Sequence, residues 1–431
     1  MDTIIAHLLK GQEMNVKTTR TIAKVITLSL ITSTMIHATN GDNLIGVGGK
    51  ARGMGGVGMA VSHGAESSFS NGALITSVEG TEIEFGGTLF MPTIKAQFLG
   101  QPELTSQADT NMIPSVSIAH KIDDNWYIGV GMWGTAGMGT DYSNKVLNPA
   151  AGAFANFNMV TNLQLLQFGV PIAYKAEGFS IAVTPVMQYG NLDMNYHLPM
   201  PTGDIANVGA GLAQDFGFGY NIGMAYDFAE AGAPGLTIGA QYKSSIEMTY
   251  ENQLSTATGP FVAMGIFPAP MADDLEQPAE FGVGLGYVTG QHTFGFDYKK
   301  IKWSDTKGYG DFGWEDSDVF AVGYQFTQDN WAIRAGYNRA DTAVVEIPGG
   351  GAYPAAAALN FFNLLGFPAN SEQHYTVGGS YEFSEMFSVD LAYVYSPKTT
   401  DTFNIAAMGM FPEISTSHRE DGVSFQLAYK F

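Results

Sequence analysis

The last nine residues, Val423-Ser424-Phe425-Gln426-Leu427-Ala428-Tyr429-Lys430-Phe431, decide the fold, because large apolar side chains alternate with small or polar ones. A period of two is the pattern of a β-strand with one apolar face. In a soluble sandwich that face is core, whereas in a membrane barrel it meets lipid and the small polar face lines the lumen. The composition favours the barrel, since charged residues make up only 14% of the chain, against roughly 25% in typical soluble proteins.

The same alternation recurs along most of the 431 residues, with 53 glycines and many aromatic residues contributing to the two faces. It predicts an all-β fold, a transmembrane antiparallel β-barrel of about fourteen strands, within the even-numbered range of bacterial barrels. The predicted strands are 82–97, 111–121, 125–135, 160–176, 179–197, 216–228, 235–252, 277–288, 291–303, 316–326, 330–338, 371–383, 387–397 and 421–431.

The connections between these strands alternate strictly between short and long. Short ones include 177–178 and 289–290, and long ones include 136–159, 253–276 and 339–370. This is the rhythm of periplasmic turns and extracellular loops. Aromatic residues cluster beside the short turns, where an interfacial girdle is expected. They are Trp126, Tyr287, Trp331, Phe383, Phe387 and Phe431.

Four prolines, Pro92, Pro114, Pro171 and Pro185, fall inside predicted strands. Proline cannot donate to a strand ladder and is confined to edges, strand ends or bulges. One of them is a candidate for a gap in the barrel wall, and the alternative for each is an ordinary strand end.

The N-terminus has the pattern of a secretion signal. Lys17, Arg20 and Lys24 precede a short apolar stretch, 25–36, and Ala38 suits cleavage. We predict a signal peptide over 1–38, with 1–13 as an upstream extension. The alternative, a membrane-anchoring helix, needs about 20 apolar residues. A net charge of −21 argues against nucleic acid as a partner.

Residues 39–81 contain many glycines and do not alternate, so they are predicted to contain no barrel strand. A segment of this kind ahead of a large barrel is expected to fold into the lumen as a hatch or plug. The predicted organisation is therefore signal peptide, hatch over 39–81 and barrel over 82–431.

Four stretches resemble the FadL/TodX (OmpP1) family of outer-membrane transporters. They read ARGMGGVGMA at 51–60, NGALIT at 71–76, WAIRAGY at 331–337 and SVDLAY at 388–393. The resemblance implies a bacterial outer-membrane barrel, closed by a hatch and surrounded by outer-membrane lipid. It implies uptake of long-chain fatty acids or of aromatic or aliphatic hydrocarbons, captured by loops and released through a wall gap. It also implies hatch or gating roles for Arg52, Asn71, Gly72, Ala73 and Leu74.

Two positions depart from the family pattern. Gly72 replaces a family proline, so this hatch turn is expected to be less rigid. Some fatty-acid members carry a lysine just before the tenth strand, where this chain reads Trp314-Glu315-Asp316. Acidic residues there would repel a carboxylate, which weakens the fatty-acid assignment and leaves room for neutral substrates.

Two long loops are unusually apolar, and they supply most of the candidate substrate-binding residues. Exposed apolar patches on loops indicate interaction surfaces, so these loops are candidates for a capture groove. The alternative is that they pack on each other as a cap. The residues are Phe261, Met264 and Phe267 in the first loop, with Phe361, Phe362 and Leu365 in the second.

Arg334 is predicted to face the lumen, as are Lys243 and Lys299, and each is a candidate ligand for a carboxylate. The alternative is an ion pair with Asp297, Glu382 or Asp390, because luminal charges commonly pair.

Enzymatic motifs are weak, and we expect neither catalysis nor a cofactor. Gly53-x-Gly55-x-x-Gly58 matches a dinucleotide fingerprint, but no predicted strand precedes it. The eight histidines lack the spacing of a metal-binding helix. The functional alternatives left open are a surface barrel for adhesion or phage attachment, and a general porin with an open polar channel.

Overall fold

The computed structural model describes residues 39–143, 157–199 and 204–431, so the predicted signal peptide lies outside the described residues. Fourteen antiparallel strands form a closed barrel, in which each strand pairs with the next and the last pairs with the first from Ile414↔Phe98 to Lys430↔Glu82. The strands are β1 (Thr81–Phe98), β2 (Asn111–Lys121), β3 (Trp126–Asp141), β4 (Val160–Gly169, continued by Ile172–Ala176), β5 (Phe179–Pro199), β6 (Ala213–Asp227), β7 (Leu236–Lys243), β8 (Glu280–Thr289), β9 (His292–Ile301), β10 (Ser317–Gln328), β11 (Trp331–Ala340), β12 (Gln373–Ser384), β13 (Phe387–Asn404) and β14 (Glu413–Lys430).

All fourteen predicted strands are present, and most boundaries agree within a few residues. The largest error concerns β7, predicted to reach residue 252 but ending at Lys243. The alternating side chains beyond it are buried under the loops instead of facing lipid: Ile246, Met248 and Tyr250 are at most 4% exposed. β3, β13 and β14 are longer than predicted, because their ladders continue past the predicted membrane-spanning stretches.

The outer and inner faces of the barrel differ as the alternation predicts. On β6, Phe218 is 73% exposed, which suits a side chain turned to lipid. On β14, Val423 and Phe425 are exposed, whereas the intervening Ser424 and Gln426 are buried inside. The aromatic residues predicted beside the short turns are largely exposed, in the position of an interfacial girdle.

Residues 39–80, here called the N-terminal segment, lie against the inner face of the wall. The segment contains a hairpin (Thr39–Asn40 and Asn43–Leu44), a short helix α1 (Gly49–Gly53) and two 3₁₀ turns (Gly64–Phe69 and Gly72–Ser77). The sequence pattern gave no indication of the hairpin, which continues the pairing of β3 through Asn43↔Ala136.

Small residues on the inner face of the strands make room for this segment. A Cβ atom added at Gly239 of β7 would lie 1.8 Å from the Met59 carbonyl oxygen, and one added at Gly336 of β11 would lie 2.2 Å from the Gly55 nitrogen. The glycines alternating with large residues therefore have a packing role, because backbone approaches backbone there.

Two helices lie in the long loops: α2 (Leu254–Ala263) and α3 (Pro354–Leu365). No helix in the described ranges is long and apolar enough to cross a membrane. Both helices contribute to the largest apolar cluster of the described residues, which joins the loops to the loop-side ends of several strands.

Candidate functional site

The ladder between β2 and β3 is incomplete. β2 pairs with β1 from Asn111 to His120, but it pairs with β3 only from Ser115 to Lys121. Pro114, which has no N–H to donate, stands where that pairing stops. The part of β3 beyond Trp133 pairs with β4 on one side, through a bulge between Gly134 and Ala136. The wall therefore contains a stretch in which β2 and β3 are not paired with each other.

A cavity of about 480 Å³ occupies this interruption. Its lining includes Pro92 and Pro114, two of the four prolines singled out in the sequence. Most of the other side chains around it are apolar. They include Phe90, Met112, Ile113, Met138, Leu163, Leu165 and Leu166.

Among the described residues, no lysine or arginine lines this wall cavity, and its titratable lining residues are Asp141, Tyr189 and His418. His418 is already engaged through both ring nitrogens, with the Pro368 carbonyl oxygen at 2.8 Å and the Glu420 carboxylate at 3.2 Å. A negatively charged ligand would therefore meet no free cationic side chain among the lining residues that the structure describes.

A second, smaller apolar cavity lies on the loop side. Met138 lines both cavities and is their shared wall. The remaining lining residues are Leu254, Leu275, Tyr309, Phe312, Trp314 and Phe367. The Met138 side chain, of a flexible residue type that adapts to varied shapes, therefore separates the two cavities.

The hairpin of the N-terminal segment lies beside the wall cavity. Asp42 is fully buried and accepts hydrogen bonds from the Tyr309 hydroxyl at 2.5 Å and from Gln277 Nε2 at 3.2 Å. Burial raises the pKa of Asp42 to about 6. Its carbonyl oxygen accepts from the Gly137 nitrogen of β3 at 3.1 Å. The hairpin thus occupies a ladder position that β2 leaves free.

The apolar loop residues are brought together as the sequence suggested. Phe261 of α2 packs against Phe361 and Phe362 of α3, with ring centroids 6.4 and 5.1 Å apart. Phe267 and Leu365 are also buried, whereas Met264 is 54% exposed. This arrangement is the packed cap of the two alternatives, and a groove there would require the helices to separate.

Arg334 is not near the loop cluster. Its Nη1 lies 3.2 Å from Asp390 Oδ1, both side chains are buried, and its Nε donates to Gln325 Oε1 at 2.6 Å. The alternative of a luminal ion pair is therefore observed. The Arg334 side chain packs against Gly53 of α1. Lys243 is likewise paired, with Glu280 at 3.2 Å.

The residues with implied hatch roles are buried in the N-terminal segment. Asn71 donates to the Met59 and Met224 carbonyl oxygens at 2.7 and 2.9 Å and accepts from the Ala73 nitrogen at 3.1 Å. The turn expected to be loosened by Gly72 is thus tied to β6 by the Asn71 side chain. Arg52 is fully buried and donates to the Gly46 carbonyl oxygen at 3.2 Å. Ala73 and Leu74 are buried as well.

Several buried charges that hold the segment were not predicted. Asp297 Oδ2 on β9 accepts from the Gly58 and Met59 nitrogens at 2.7 and 3.0 Å. Within the segment, Glu66 accepts from the backbone of α1, and its burial raises the pKa of its carboxyl to about 7. Lys50 forms ion pairs with two carboxylates of β1.

One signal would have revealed part of this network. Glu82 and Glu84 take the inner face of β1 by alternation, and charges on an inner face need partners. Which residue supplies the partner depends on how the segment folds, and alternation carries no information on that.

Comparisons with known proteins agree with this architecture. Residues 30–431 match the family model described as outer membrane protein transport protein (OMPP1/FadL/TodX). The chain is similar to a 47 kDa outer membrane protein of Pasteurella multocida, with 23% identity over 80% of this chain and 84% of that one. It is also 23% identical to a long-chain fatty acid transport protein of Escherichia coli, over 78% of this chain and 82% of that one.

Among solved structures, the fold is similar to the toluene transporter TodX of Pseudomonas putida, with a TM-score of 0.69, 18% identity and coverage of 90% of this chain and 99% of that one. A FadL homologue of Pseudomonas aeruginosa matches with a TM-score of 0.65, 14% identity and coverage of 93% and 100%. The family match spans nearly the whole chain. The chain therefore belongs to the OMPP1/FadL/TodX family of outer membrane transport proteins.

Proposed function

We propose that this protein is a passive channel for hydrophobic compounds, which leave the barrel sideways through the wall between β2 and β3. The observation that carries the proposal is the apolar cavity of about 480 Å³ at a place where the strand ladder is missing. A wall opening at this point leads an apolar molecule into lipid, so the molecule need not cross the aqueous periplasmic mouth. The names of two similar proteins, a fatty acid transport protein and a toluene transporter, agree with apolar cargo.

In this proposal residues 39–81 act as the hatch, and the loop cluster of α2 and α3 is the site of capture. Phe261, Met264, Phe267, Phe361, Phe362 and Leu365 contact the cargo first. The hairpin bearing Asp42 gates the passage, since it pairs with β3 at a position where β2 does not pair with β3. Arg52, Asn71, Gly72, Ala73 and Leu74 keep the rest of the hatch in place. Arg334 has a structural role, because its charge is already matched by Asp390.

The charges along the route favour neutral cargo over fatty-acid anions. Within the described ranges neither cavity is lined by a lysine or arginine, and Asp141 borders the wall cavity. Moving an unpaired carboxylate into an apolar site costs several kcal/mol. Lys302, the cation near Asp316 before β10, is already paired with Asp305 and Asp316. We therefore infer that hydrocarbons are carried better than ionised fatty acids.

A reversible cross-link across the interruption tests the route. A Cβ atom built on Gly134 lies 3.5 Å from the Ile113 Cβ, within the range for a disulfide. The chain contains no native cysteine. In the Ile113→Cys/Gly134→Cys variant, oxidation should fix β2 to β3 and stop toluene uptake by outer-membrane vesicles, and a reductant should restore it. The two single-cysteine variants are the matched controls, and their uptake should ignore the redox state.

Uptake that is equal in the oxidised and reduced double variant, with the disulfide verified by mass spectrometry, would rule out the lateral route. An adhesion barrel predicts no toluene uptake in either state. A general porin predicts steady ion conductance in planar bilayers, unaffected by the cross-link. Comparing toluene with palmitate in the same vesicles separates neutral from anionic cargo.

A further inference from the structure

Five cationic side chains lie on the outer face of the barrel, toward the loop-side ends of their strands. Lys95, Lys300, Arg339, Lys398 and Arg419 stand eight to fourteen residues from the periplasmic ends of β1, β9, β11, β13 and β14. An apolar band about 25 Å tall takes about 11 residues of a strand tilted by about 45°. These five residues, here called the rim patch, therefore lie around the outer edge of the lipid-facing band.

Alternation places these side chains on the lipid-facing side. Arg339 shares the face of Ile333, which is 53% exposed, and Arg419 shares the face of Val423. Lys300 continues the face of Phe294 and Phe296. Lys398 is exposed and belongs to the bulge that opposes Arg419, between the pairs Ser396↔Glu420 and Thr399↔His418.

The rim patch is confined to one side of the barrel. At the same height on β4, β5 and β6, the outer face carries the amides Gln164, Asn191 and Gln214 in place of cations. The patch is also unexpected from the net charge of −21, since acidic residues outnumber basic ones by 41 to 20. General solvation of the surface would not concentrate cations there.

Three members of the patch form close ion pairs with carboxylates; Lys398 only lies near Glu103, whose pKa it helps to lower. Lys95 pairs with Glu103, Lys300 with Asp318, and Arg419 with Asp421 at 2.8 Å. Arg339 and Lys398 form no ion pair with any residue in the described ranges. Arg339 of β11 pairs in register with Gln373 of β12, and β12 lies beside β13. At ~4.8 Å between adjacent strands, Arg339 is about 10 Å from the bulge of β13 that contains Lys398.

Tyrosine rings lie just below these cations. The Arg419 guanidinium carbon is 5.3 Å from the centre of the Tyr395 ring, and the Tyr393 hydroxyl donates to Asp421 at 2.7 Å. Tyr337 and Tyr375 form a ring pair with centroids 5.2 Å apart on the neighbouring strands. Tyrosines at headgroup depth mark the interface, which places Arg339 and Lys398 at the level of lipid phosphates.

We propose that the rim patch binds the phosphate groups of a glycolipid of the outer leaflet, the lipid A type, with Arg339 and Lys398 as the principal ligands. A bisphosphorylated headgroup carries two anionic groups on one rigid disaccharide, which suits two exposed cations about 10 Å apart on strands separated by β12. Arginine and lysine are the side chains that bind phosphate, arginine in a bidentate manner. The acyl chains of such a lipid then lie against the apolar outer face of β11 to β14.

Titration of the purified protein in neutral detergent with lipid A, followed by native mass spectrometry, tests the proposal. A juxtamembrane cation contributes about fivefold in affinity, so Arg339→Gln/Lys398→Gln should bind roughly 30-fold more weakly. The matched control is Lys175→Gln/Lys430→Gln, which removes the same charge near the periplasmic ends of β4 and β14. It should bind as the parent does.

The probes separate the sources of binding. Lipid A without phosphates should bind the parent no better than lipid A binds the double variant. Equal affinity of parent and double variant for lipid A would overturn the proposal. So would equal affinity of the parent for phosphatidylglycerol and lipid A, because the patch would then be a general anion surface. The shift in electrophoretic mobility between unheated and heated samples verifies that each variant remains a folded barrel.

Discussion

Replacing Asp297 by alanine should loosen the N-terminal segment without opening the barrel. Asp297 is fully buried on the inner face of β9, and one carboxylate oxygen accepts the Gly58 and Met59 nitrogens. Removing the side chain leaves two backbone N–H groups without that acceptor. Because the rest of the segment has other anchors, including Lys50 and Asn71, we expect local release around residues 57–60.

The size of the effect follows from two opposing terms. Each hydrogen bond to a charged group contributes about 1.5–3 kcal/mol. Removing the carboxylate also removes the several kcal/mol that its burial costs. A net loss of about 2 kcal/mol is expected, which corresponds to roughly a 30-fold larger undocked population.

Hydrogen–deuterium exchange of the purified barrel measures this population directly. The amides of Gly58, Met59 and Ala60 should exchange roughly 30-fold faster in Asp297→Ala, whereas the amides of β9 should not change. Asp318→Ala is the matched control, because Asp318 sits on the neighbouring strand with its carboxylate bonded to Tyr298 and Lys300. Unchanged exchange at residues 58–60 would refute the anchoring role of Asp297.

Three further predictions concern the same machinery. The pKa of Asp42 is raised from 3.8 to about 6, so the docked hairpin favours the protonated form and its stability falls as pH rises from about 4 through 6. Exchange at residues 41–44, corrected for intrinsic rates, should be slower at pH 5 than at pH 7, and Asp42→Asn should abolish the difference. Changing Phe267 and Phe362 to serine should abolish hydrocarbon uptake, because the buried Phe362 alone contributes about 3–5 kcal/mol to the packing of the loop cluster. Barrel assembly should remain intact. Uptake equal to that of the parent protein would argue against loop capture. Lys50→Met should leave two wall carboxylates unpaired at a cost of about 3–5 kcal/mol, and a steady ion leak in planar bilayers should appear and then be reduced by adding Glu84→Gln.

The strand pattern could be predicted because it depends on local side-chain alternation. Each strand meets lipid on one side and the interior on the other, so the period of two persists in the sequence. The exception is informative: Ile246, Met248 and Tyr250 alternate as a lipid-facing strand would, yet they are buried under the loops. An apolar face indicates burial from water and does not say whether lipid or protein covers it.

The site depended on pairings between distant residues, which alternation does not encode. Pro92 and Pro114 were identified as candidates for a wall gap, and both line the cavity there. The hairpin bond from Gly137 to Asp42 and the Asp297 anchor join residues 95 and about 240 positions apart. Their partners are fixed only when the N-terminal segment has folded against the wall.

The central claim is that apolar cargo resides in the wall between β2 and β3 on its way out. Crystals soaked with bromobenzene and measured at the bromine absorption edge locate that cargo directly. We predict anomalous density within the wall cavity, beside Ile113, Met138 and Leu163. Bromine density confined to the barrel axis between the N-terminal segment and β9, with none beside those three residues, would contradict lateral release.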